Sequence, residues 1–246
     1  MKLRGATALV TGGAVRIGRA IVEELAAQGC HVVIHCNRSL REAGALARRV
    51  RRGGRRAWVV QCELATQQDC SSLMDSAWRL AGKVDILVNN AAVFHKDRLP
   101  DVDQAKLLDE FSVNLFAPIL LTRAFARRAR AGRVINLLDR RIAAVDAECL
   151  PYWLSKKALA SFTEAAALEL APRITVNGVA PGPVLPPPGK GADYLYDKAG
   201  RVPMGRLISP RQVASAVSSL LGMDGVTGQI LYVDGGQHLL GNPSAR

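Results

Sequence analysis

The sequence predicts an α/β protein, a single Rossmann-type domain in which helices cover both faces of a doubly wound parallel sheet of about seven strands. Short, nearly continuous apolar runs alternate with amphipathic segments along all 246 residues, and a glycine-rich turn follows the first run. Apolar strands separated by helices are typical of a parallel sheet that is buried on both faces. Ligands of such sheets bind beyond the carboxyl ends of the strands, so the active site is expected there.

The individual elements follow from this alternation. Strands are predicted at 6–11, 31–36, 57–62, 84–88, 133–138, 174–179 and 229–232, and helices at 17–28, 40–52, 67–80, 102–129, 152–170 and 210–221. No linker or repeat divides the chain, so one domain is expected over residues 1–246. A proline-rich segment follows the sixth strand and precedes Tyr194 and Tyr196, which indicates a substrate loop around 181–203.

The composition disfavours several classes of function. Five cysteines form no CxxC pair and no cluster with histidine, so we expect reduced, structural thiols and no metal site. No apolar run approaches the roughly 18 residues of a membrane helix, and the N-terminus enters a strand directly, so no membrane contact and a cytoplasmic location are expected. The net charge is +12. Its arginines are spread over several helices without interleaved aromatics, which favours an anionic substrate or cofactor over nucleic acid.

A cofactor turn is predicted at Thr11-Gly12-Gly13-Ala14-Val15-Arg16-Ile17-Gly18, between the first strand and the first helix. Glycines let the backbone approach a pyrophosphate, and the N-terminus of the helix supplies amide donors and the positive end of its dipole. The spacing differs from GxGxxG, and a tight turn between strand and helix is the alternative interpretation.

The end of the second strand indicates which nicotinamide cofactor is used. An NAD enzyme is expected to place Asp or Glu there for the ribose hydroxyls, whereas this chain has Asn37, Arg38 and Ser39, with Arg16 close by in the turn. Arginine and a hydroxyl suit a phosphate, which a carboxylate would repel. NADPH is therefore predicted. An N-cap at Ser39 beside a solvated Arg38 is a simpler interpretation, and the two are compatible.

The catalytic prediction rests on Tyr152 and Lys156. At positions i and i+4 both lie on one face of a helix, where the ammonium is expected to lower the pKa of the phenol and make it a usable proton donor. Asp139 stands thirteen residues before the tyrosine, at the end of the fifth strand. Alternatively, Asp139 pairs with Arg140 or Arg141 and is turned out of the site.

These patterns occur together with further motifs along the chain. They are Thr11-Gly12-x3-Arg16-Ile17-Gly18, Glu63-Leu64, Asn89-Asn90-Ala91-Ala92, Asn114, Tyr152-x3-Lys156, Pro181-Gly182 and Val233-Asp234-Gly235-Gly236. In this set the chain resembles the short-chain dehydrogenase/reductase family over essentially its whole length. The resemblance implies that the cofactor is held by Gly12, Arg16, Ile17, Gly18, Asn37, Arg38, Ser39, Glu63, Leu64, Asn90, Ala91, Lys156, Pro181 and Gly182. It also implies that Asn114 anchors Lys156 through a water, and that the protein is a homotetramer built on the helices around 102–130 and 152–170 and on the C-terminal segment.

Two departures from the family pattern resemble its pteridine reductase branch. Arg16 replaces the middle glycine of the turn, and Asp139 replaces the usual catalytic serine. The motif His35-x2-Arg38-Ser39 and the aromatic Phe94 resemble that branch as well. Its members reduce dihydropterins, and some reduce folates, with NADPH. The resemblance implies that Phe94 stacks on the pterin, with Arg16, Asp139, Tyr152 and Val184 also at the substrate. Ordinary core packing is the alternative for Phe94.

The chemistry of Asp139 favours a C=N substrate over a ketone. An ionised carboxylate repels a developing alkoxide, whereas it can hold or relay a proton for a nitrogen and accept hydrogen bonds from a pterin. The prediction is an NADPH-dependent pterin reductase with Asp139, Tyr152, Lys156 and Asn114 as catalytic residues. A generic carbonyl reductase acting on a ketoacyl thioester, sugar or quinone, and a catalytically idle NADPH sensor, are the alternatives. The sequence leaves the particular pterin open.

Overall fold

The computed structural model describes residues 2–186, 189–191, 193–198 and 200–241. The strands are β1 (Thr7–Val10), β2 (His31–Cys36), β3 (Ala57–Gln61), β4 (Ile86–Asn89), β5 (Gly132–Leu137), β6 (Ile174–Pro181) and β7 (Ile230–Val233). The helices are α1 (Arg16–Ala27), α2 (Leu40–Arg52), α3 (Gln67–Ala81), α4 (Gln104–Phe111), α5 (Ala117–Arg128), α6 (Leu150–Leu170), α7 (Asp193–Lys198) and α8 (Pro210–Gly222). Each predicted strand is present, with ends that differ from the predicted ones by at most two residues.

The strands form one parallel sheet in the order β3-β2-β1-β4-β5-β6-β7. The apolar residues of α1, α2 and α8 pack on one face, and those of α3 and α5 pack on the other. The predicted fold class, a doubly wound sheet covered on both faces, is therefore confirmed. The chain changes direction across the sheet at β1, which pairs with both β2 and β4. Such a switch point opens a crevice beyond the strand ends, where ligands bind.

The prediction of a single helix over residues 102–129 is wrong. A short 3₁₀ turn precedes α4, and a π-helical turn at Ser112–Phe116 separates α4 from α5. Pro118 has no amide hydrogen, so it cannot donate the α-helical hydrogen bond to the carbonyl of Asn114. The wider turn accommodates that loss and leaves Asn114 fully buried. Single π turns of this kind occur often at functional sites.

The predicted substrate loop contains a helix that the sequence did not indicate, α7. Of the loop's residues, 187, 188, 192 and 199 lie outside the described residues, as does the side chain of Tyr196. Residues 242–246 do too, and no function was predicted for them. Within the described ranges, no helix is both long and apolar enough to span a membrane.

Candidate active site

A cavity of about 690 Å³ opens at the switch point, beyond the carboxyl ends of β1, β2 and β4. Eleven residues predicted to hold the cofactor line it: Gly12, Arg16, Ile17, Gly18, Asn37, Arg38, Ser39, Glu63, Leu64, Asn90 and Ala91. Among the described residues predicted for the cofactor, Lys156, Pro181 and Gly182 lie outside this lining. Tyr152 reaches the cavity as well, so the predicted cofactor and catalytic regions meet there.

The glycine turn is held in place by Asn90, the residue that follows β4. The side-chain amide of Asn90 donates to the carbonyl oxygens of Thr11 and Gly12, at 2.8 and 3.1 Å. A methyl group added at Gly18 would lie 2.1 Å from the carbonyl oxygen of Gly12, so no other residue fits there. Gly12 itself has φ +59°, a conformation that L side chains rarely adopt. The turn therefore presents bare backbone to the cavity.

His35 braces the same turn, a role that sequence reasoning missed. Its Nδ1 accepts a hydrogen bond from the amide of Gly12 at 3.2 Å, so Nε2 carries the hydrogen and donates it to the carbonyl oxygen of Cys62 at 3.0 Å. Burial lowers the pKa of His35, which keeps the ring neutral and this tautomer in place. The signal in the sequence was a polar ring at the end of an otherwise apolar strand.

The rim at the end of β2 is cationic. Asn37 and Arg38 are exposed, and the cavity lining there has no carboxylate from β2. Ser39 occupies the N-cap position of α2, yet its side chain makes no capping hydrogen bond. The interpretation of Ser39 as an N-cap is therefore right about its position before α2, but its side chain does not cap the helix. Both Arg38 and Ser39 line the cavity, and a guanidinium and a hydroxyl are groups that can donate hydrogen bonds to a phosphate.

Asp139 contacts both of its predicted types of partner. The hydroxyl of Tyr152 donates to Asp139 Oδ2 at 3.1 Å, while the backbone amide of Arg141 donates to Oδ1 at 2.9 Å. The Arg141 guanidinium lies 3.4 Å from Oδ2 and also donates to Asp146 at 2.8 Å. Pairing with Arg141 therefore does not turn Asp139 out of the site. It holds the carboxylate against the phenol.

The expected lowering of the Tyr152 pKa is wrong for this structure. Burial and the Asp139 carboxylate raise the pKa of Tyr152 well above its ordinary value. Lys156 donates from Nζ to the carbonyl oxygen of Leu137 at 2.8 Å, and Nζ lies 5.9 Å from the centre of the tyrosine ring. Burial lowers the pKa of Lys156 to about 8. At neutral pH the phenol is thus a proton donor and the lysine is mostly an ammonium.

Of the residues predicted to contact the substrate, Phe94 lies beside Tyr152, whereas Arg16 and Val184 contact other parts of the chain. Phe94 is 49% exposed, so core packing does not explain it. Its ring meets that of Tyr152 edge-on, with the centres 4.8 Å apart. Arg16 turns to the substrate loop, where it donates to the carbonyl oxygens of Leu185 and Pro186 at 3.3 and 2.9 Å. Val184 is buried in the hydrophobic cluster on the face of α1 and α8.

Asn114 is held at both atoms of its amide. Its Nδ2 donates to the carbonyl oxygen of Val93 and its Oδ1 accepts from the amide of the same residue, each at 2.9 Å. The hydroxyl of Ser155, next to Lys156, lies 3.3 Å from Nδ2. A second residue that sequence reasoning missed, Glu110, accepts from Nδ2 at 2.5 Å. An acid one helical turn before Asn114 was the available signal.

Comparisons with known proteins agree with this fold. A sequence profile described as enoyl-(acyl carrier protein) reductase matches residues 13–238. The structure of FolM alternative dihydrofolate reductase 1 from Brucella canis, complexed with NADP, is 38% identical and superimposes with a TM-score of 0.90 over 97% of this chain and 96% of that one. A short-chain dehydrogenase from Burkholderia cenocepacia in complex with NADP is 33% identical, with a TM-score of 0.86 over 96% and 98%. Glucose and ribitol dehydrogenase of Daucus carota is 31% identical over 96% of this chain and 86% of its own length. The chain belongs to the short-chain dehydrogenase/reductase family.

Proposed function

We propose that this chain is a pterin reductase, which uses NADPH to reduce a C=N bond of a dihydropterin. The observation that carries the proposal is the 3.1 Å hydrogen bond from the Tyr152 hydroxyl to the Asp139 carboxylate. A ketone reductase places donors around an oxygen that gains negative charge. Here the partner of the tyrosine is an acceptor, which favours a substrate that gains a proton on nitrogen.

The residues at the cavity fit NADPH, and the chain is an NADP-dependent oxidoreductase. The bare backbone at Gly12 and Gly18 leaves room for a pyrophosphate at the N-terminus of α1. Arg38 and Ser39 suit the additional phosphate that distinguishes NADPH from NADH. The Brucella canis and Burkholderia cenocepacia structures both contain NADP. Bound NADPH supplies the hydride.

The proton comes from the protein. When the carbon of a C=N bond gains hydride, its nitrogen takes the proton of the Tyr152 hydroxyl, so that a C–N single bond and an N–H bond result. The raised pKa of Tyr152 keeps that proton in place until the nitrogen becomes basic. Asp139 orients the hydroxyl, and its negative charge favours a protonated substrate nitrogen. Arg141 holds the carboxylate in position.

The surroundings of this pair suit a flat, nitrogen-rich ring. Phe94 offers a half-exposed aromatic face beside Tyr152, and stacking is the preferred contact of such rings. Asp139 can accept hydrogen bonds from the amino and ring N–H groups of a pterin. The Brucella canis structure, an alternative dihydrofolate reductase, supports this class of substrate and makes dihydrofolate a second candidate.

A generic carbonyl reductase is the competing function. The Daucus carota relative, a glucose and ribitol dehydrogenase, favours it. Both functions share the cofactor residues, so substrate turnover has to separate them. A catalytically idle NADPH sensor explains less, because a sensor has no need of a buried tyrosine in contact with a carboxylate.

We further propose a homotetramer. Several large apolar side chains are exposed on α4, the π-helical turn, α6, β7 and the segment after β7: Leu108, Phe116, Leu154, Leu168, Leu231, Leu239 and Leu240. Isolated exposed leucines are ordinary. Their presence on the elements that family members use for assembly supports the proposal, which light scattering of the purified protein can test.

The deciding experiment follows NADPH oxidation at 340 nm with dihydrobiopterin, dihydrofolate, an acetoacetyl thioester and a quinone, for the wild type and for Asp139→Ser. We expect turnover of the pterins and its sharp loss in the variant. Turnover of the carbonyl compounds alone would overturn the proposal, and NADPH binding without any turnover would revive the sensor.

A further inference from the structure

Glu110 is a fully buried acid beside the catalytic residues, and none of the steps above uses it. It lies on α4, and its side chain has no exposed surface. Within the part of the chain that the structure describes, no lysine or arginine lies within ion-pair distance of Glu110, and its only ion-pair contact is His95. Burying a carboxyl group in this way is costly unless its oxygens are hydrogen-bonded.

Both carboxylate oxygens of Glu110 are hydrogen-bonded to the active site. Oε1 accepts from the backbone amide of His95 at 2.7 Å and lies 3.1 Å from Nδ1 of its ring. Oε2 accepts from the side-chain amide of Asn114 at 2.5 Å. That amide also lies 3.3 Å from the hydroxyl of Ser155, the residue before Lys156. A short chain of contacts thus joins Glu110 to the helix turn that carries the lysine.

We propose that Glu110 is a positioning residue, which fixes the amide of Asn114 and brings a buried negative charge to the contacts that lead through Asn114 to the helix turn of Lys156. A carboxylate can only accept hydrogen bonds, so it forces the Nδ2 atom of Asn114 to face it. The oxygen of the amide is then directed to the backbone amide of Val93, as observed. The proposal deepens the proposed function, because its effect on turnover rests on the role of Lys156 there.

The electrostatics of the cluster agree with this geometry. Burial lowers the pKa of Lys156 to about 8, while Asp139 and Glu110 act in the opposite direction. His95 is the titratable group in direct contact with Glu110, at 3.1 Å, and Asp109 lies 3.6 Å from the same histidine ring. The charge of Glu110 also acts on Tyr152 and Lys156 and raises the pKa of both. Burial raises the pKa of Glu110, and the contacts with His95 oppose that rise.

The test is a direct titration of Lys156 by NMR, in protein labelled with ¹³C at the lysine ε carbons. Comparison with Lys156→Arg assigns the signal. We expect a midpoint of about 8 in the wild type and a midpoint at least about 0.5 pH unit lower in Glu110→Gln, which has the same shape without the charge. Glu164→Gln is the matched control, because it removes one charge from an exposed position on α6. Equal midpoints in these two variants would overturn the proposal.

A second measurement covers the case in which Glu110→Gln does not fold. The side-chain carboxyl carbon of Glu110, labelled with ¹³C in the wild type, is expected to show an ionised group at pH 8, and a protonated group at that pH would overturn the proposal. Neither titration needs cofactor or substrate, so failure of pterin turnover would leave this test intact. In the kinetic assay, we expect kcat to fall at alkaline pH as Lys156 loses its proton. This fall should occur at lower pH in Glu110→Gln than in the wild type, and Glu110→Asp should restore the wild-type profile.

Discussion

The cofactor side of the cavity and its substrate side are held together by different kinds of contact. On the cofactor side, backbone groups of the glycine turn bond to His35 and Asn90, and at Gly18 there is no space for even one methyl group. On the substrate side, side chains bond to one another around Asp139. Enzymes of one dehydrogenase fold can keep the same backbone geometry at the cofactor whatever their substrate, whereas the side chains around the substrate can differ from one enzyme to the next. This difference explains how one type of cofactor site can serve enzymes that catalyse many reactions.

The largest effect is expected where the backbone is most crowded. Gly18→Ala places a methyl group 2.1 Å from the carbonyl oxygen of Gly12, so the turn must open. We expect NADPH binding to weaken by at least about a hundredfold, or roughly 3 kcal/mol, when it is measured by fluorescence titration. Gly44→Ala is the control, since the nearest atom to its methyl group lies 3.6 Å away. Normal binding by Gly18→Ala would show that the turn is less rigid than its contacts indicate.

A change on the substrate side should affect chemistry without affecting the cofactor. Tyr152→Phe removes the proton donor and the hydrogen bond to Asp139. General acid catalysis contributes about 10²–10⁴-fold, so we expect kcat with the active substrate to fall by that factor. The NADPH dissociation constant should change less than about twofold, because the ring remains. A tenfold loss of kcat corresponds to about 1.4 kcal/mol of activation free energy. If the variant retains more than a tenth of the wild-type kcat, Tyr152 is not the proton donor of the reaction.

Arg38→Ala tests the choice of cofactor. The guanidinium is exposed at the rim, and a charge-assisted hydrogen bond contributes about 1.5–3 kcal/mol, so the KM for NADPH should rise by about 10–100-fold. The KM for NADH should stay unchanged, since it lacks the phosphate. Arg52→Ala, at the far end of α2, removes an equal charge and should alter neither value. An equal rise for both cofactors would mean that Arg38 does not distinguish them.

The smallest effect is expected at Arg16, which connects the two sides. Arg16→Gly removes the two hydrogen bonds to the substrate loop, and glycine readily adopts the φ of +54° found there. We expect the KM of the substrate to rise by only about threefold to tenfold, as exposed hydrogen bonds contribute about 1 kcal/mol. Stopped-flow measurement of NADPH binding should show little change. A larger loss in NADPH affinity than in substrate KM would place Arg16 with the cofactor alone.

Much of the fold could be predicted from the sequence because apolar periodicity directly reflects burial. Leu87, Val134 and Val176 lie on neighbouring parallel strands and are fully buried, as continuous apolar runs indicate. The break of the long helix at Asn114 escaped prediction. The sequence shows Pro118, but whether proline kinks, ends or widens a helix depends on what the helix packs against.

From the sequence, most residues of the proposed cofactor site could be predicted, because they lie next to strand ends along the chain, and eleven of the predicted residues line the cavity. The protonation of Tyr152 and Lys156 depends instead on tertiary contacts that the sequence does not show. Lys156 was expected to lower the pKa of Tyr152, yet burial and Asp139 raise it. Glu110 gains its part from its buried contact with Asn114 and from its hydrogen bond to the backbone amide of the exposed His95. Desolvation and charge proximity depend on distances between residues far apart in the chain, and those distances exist only after folding.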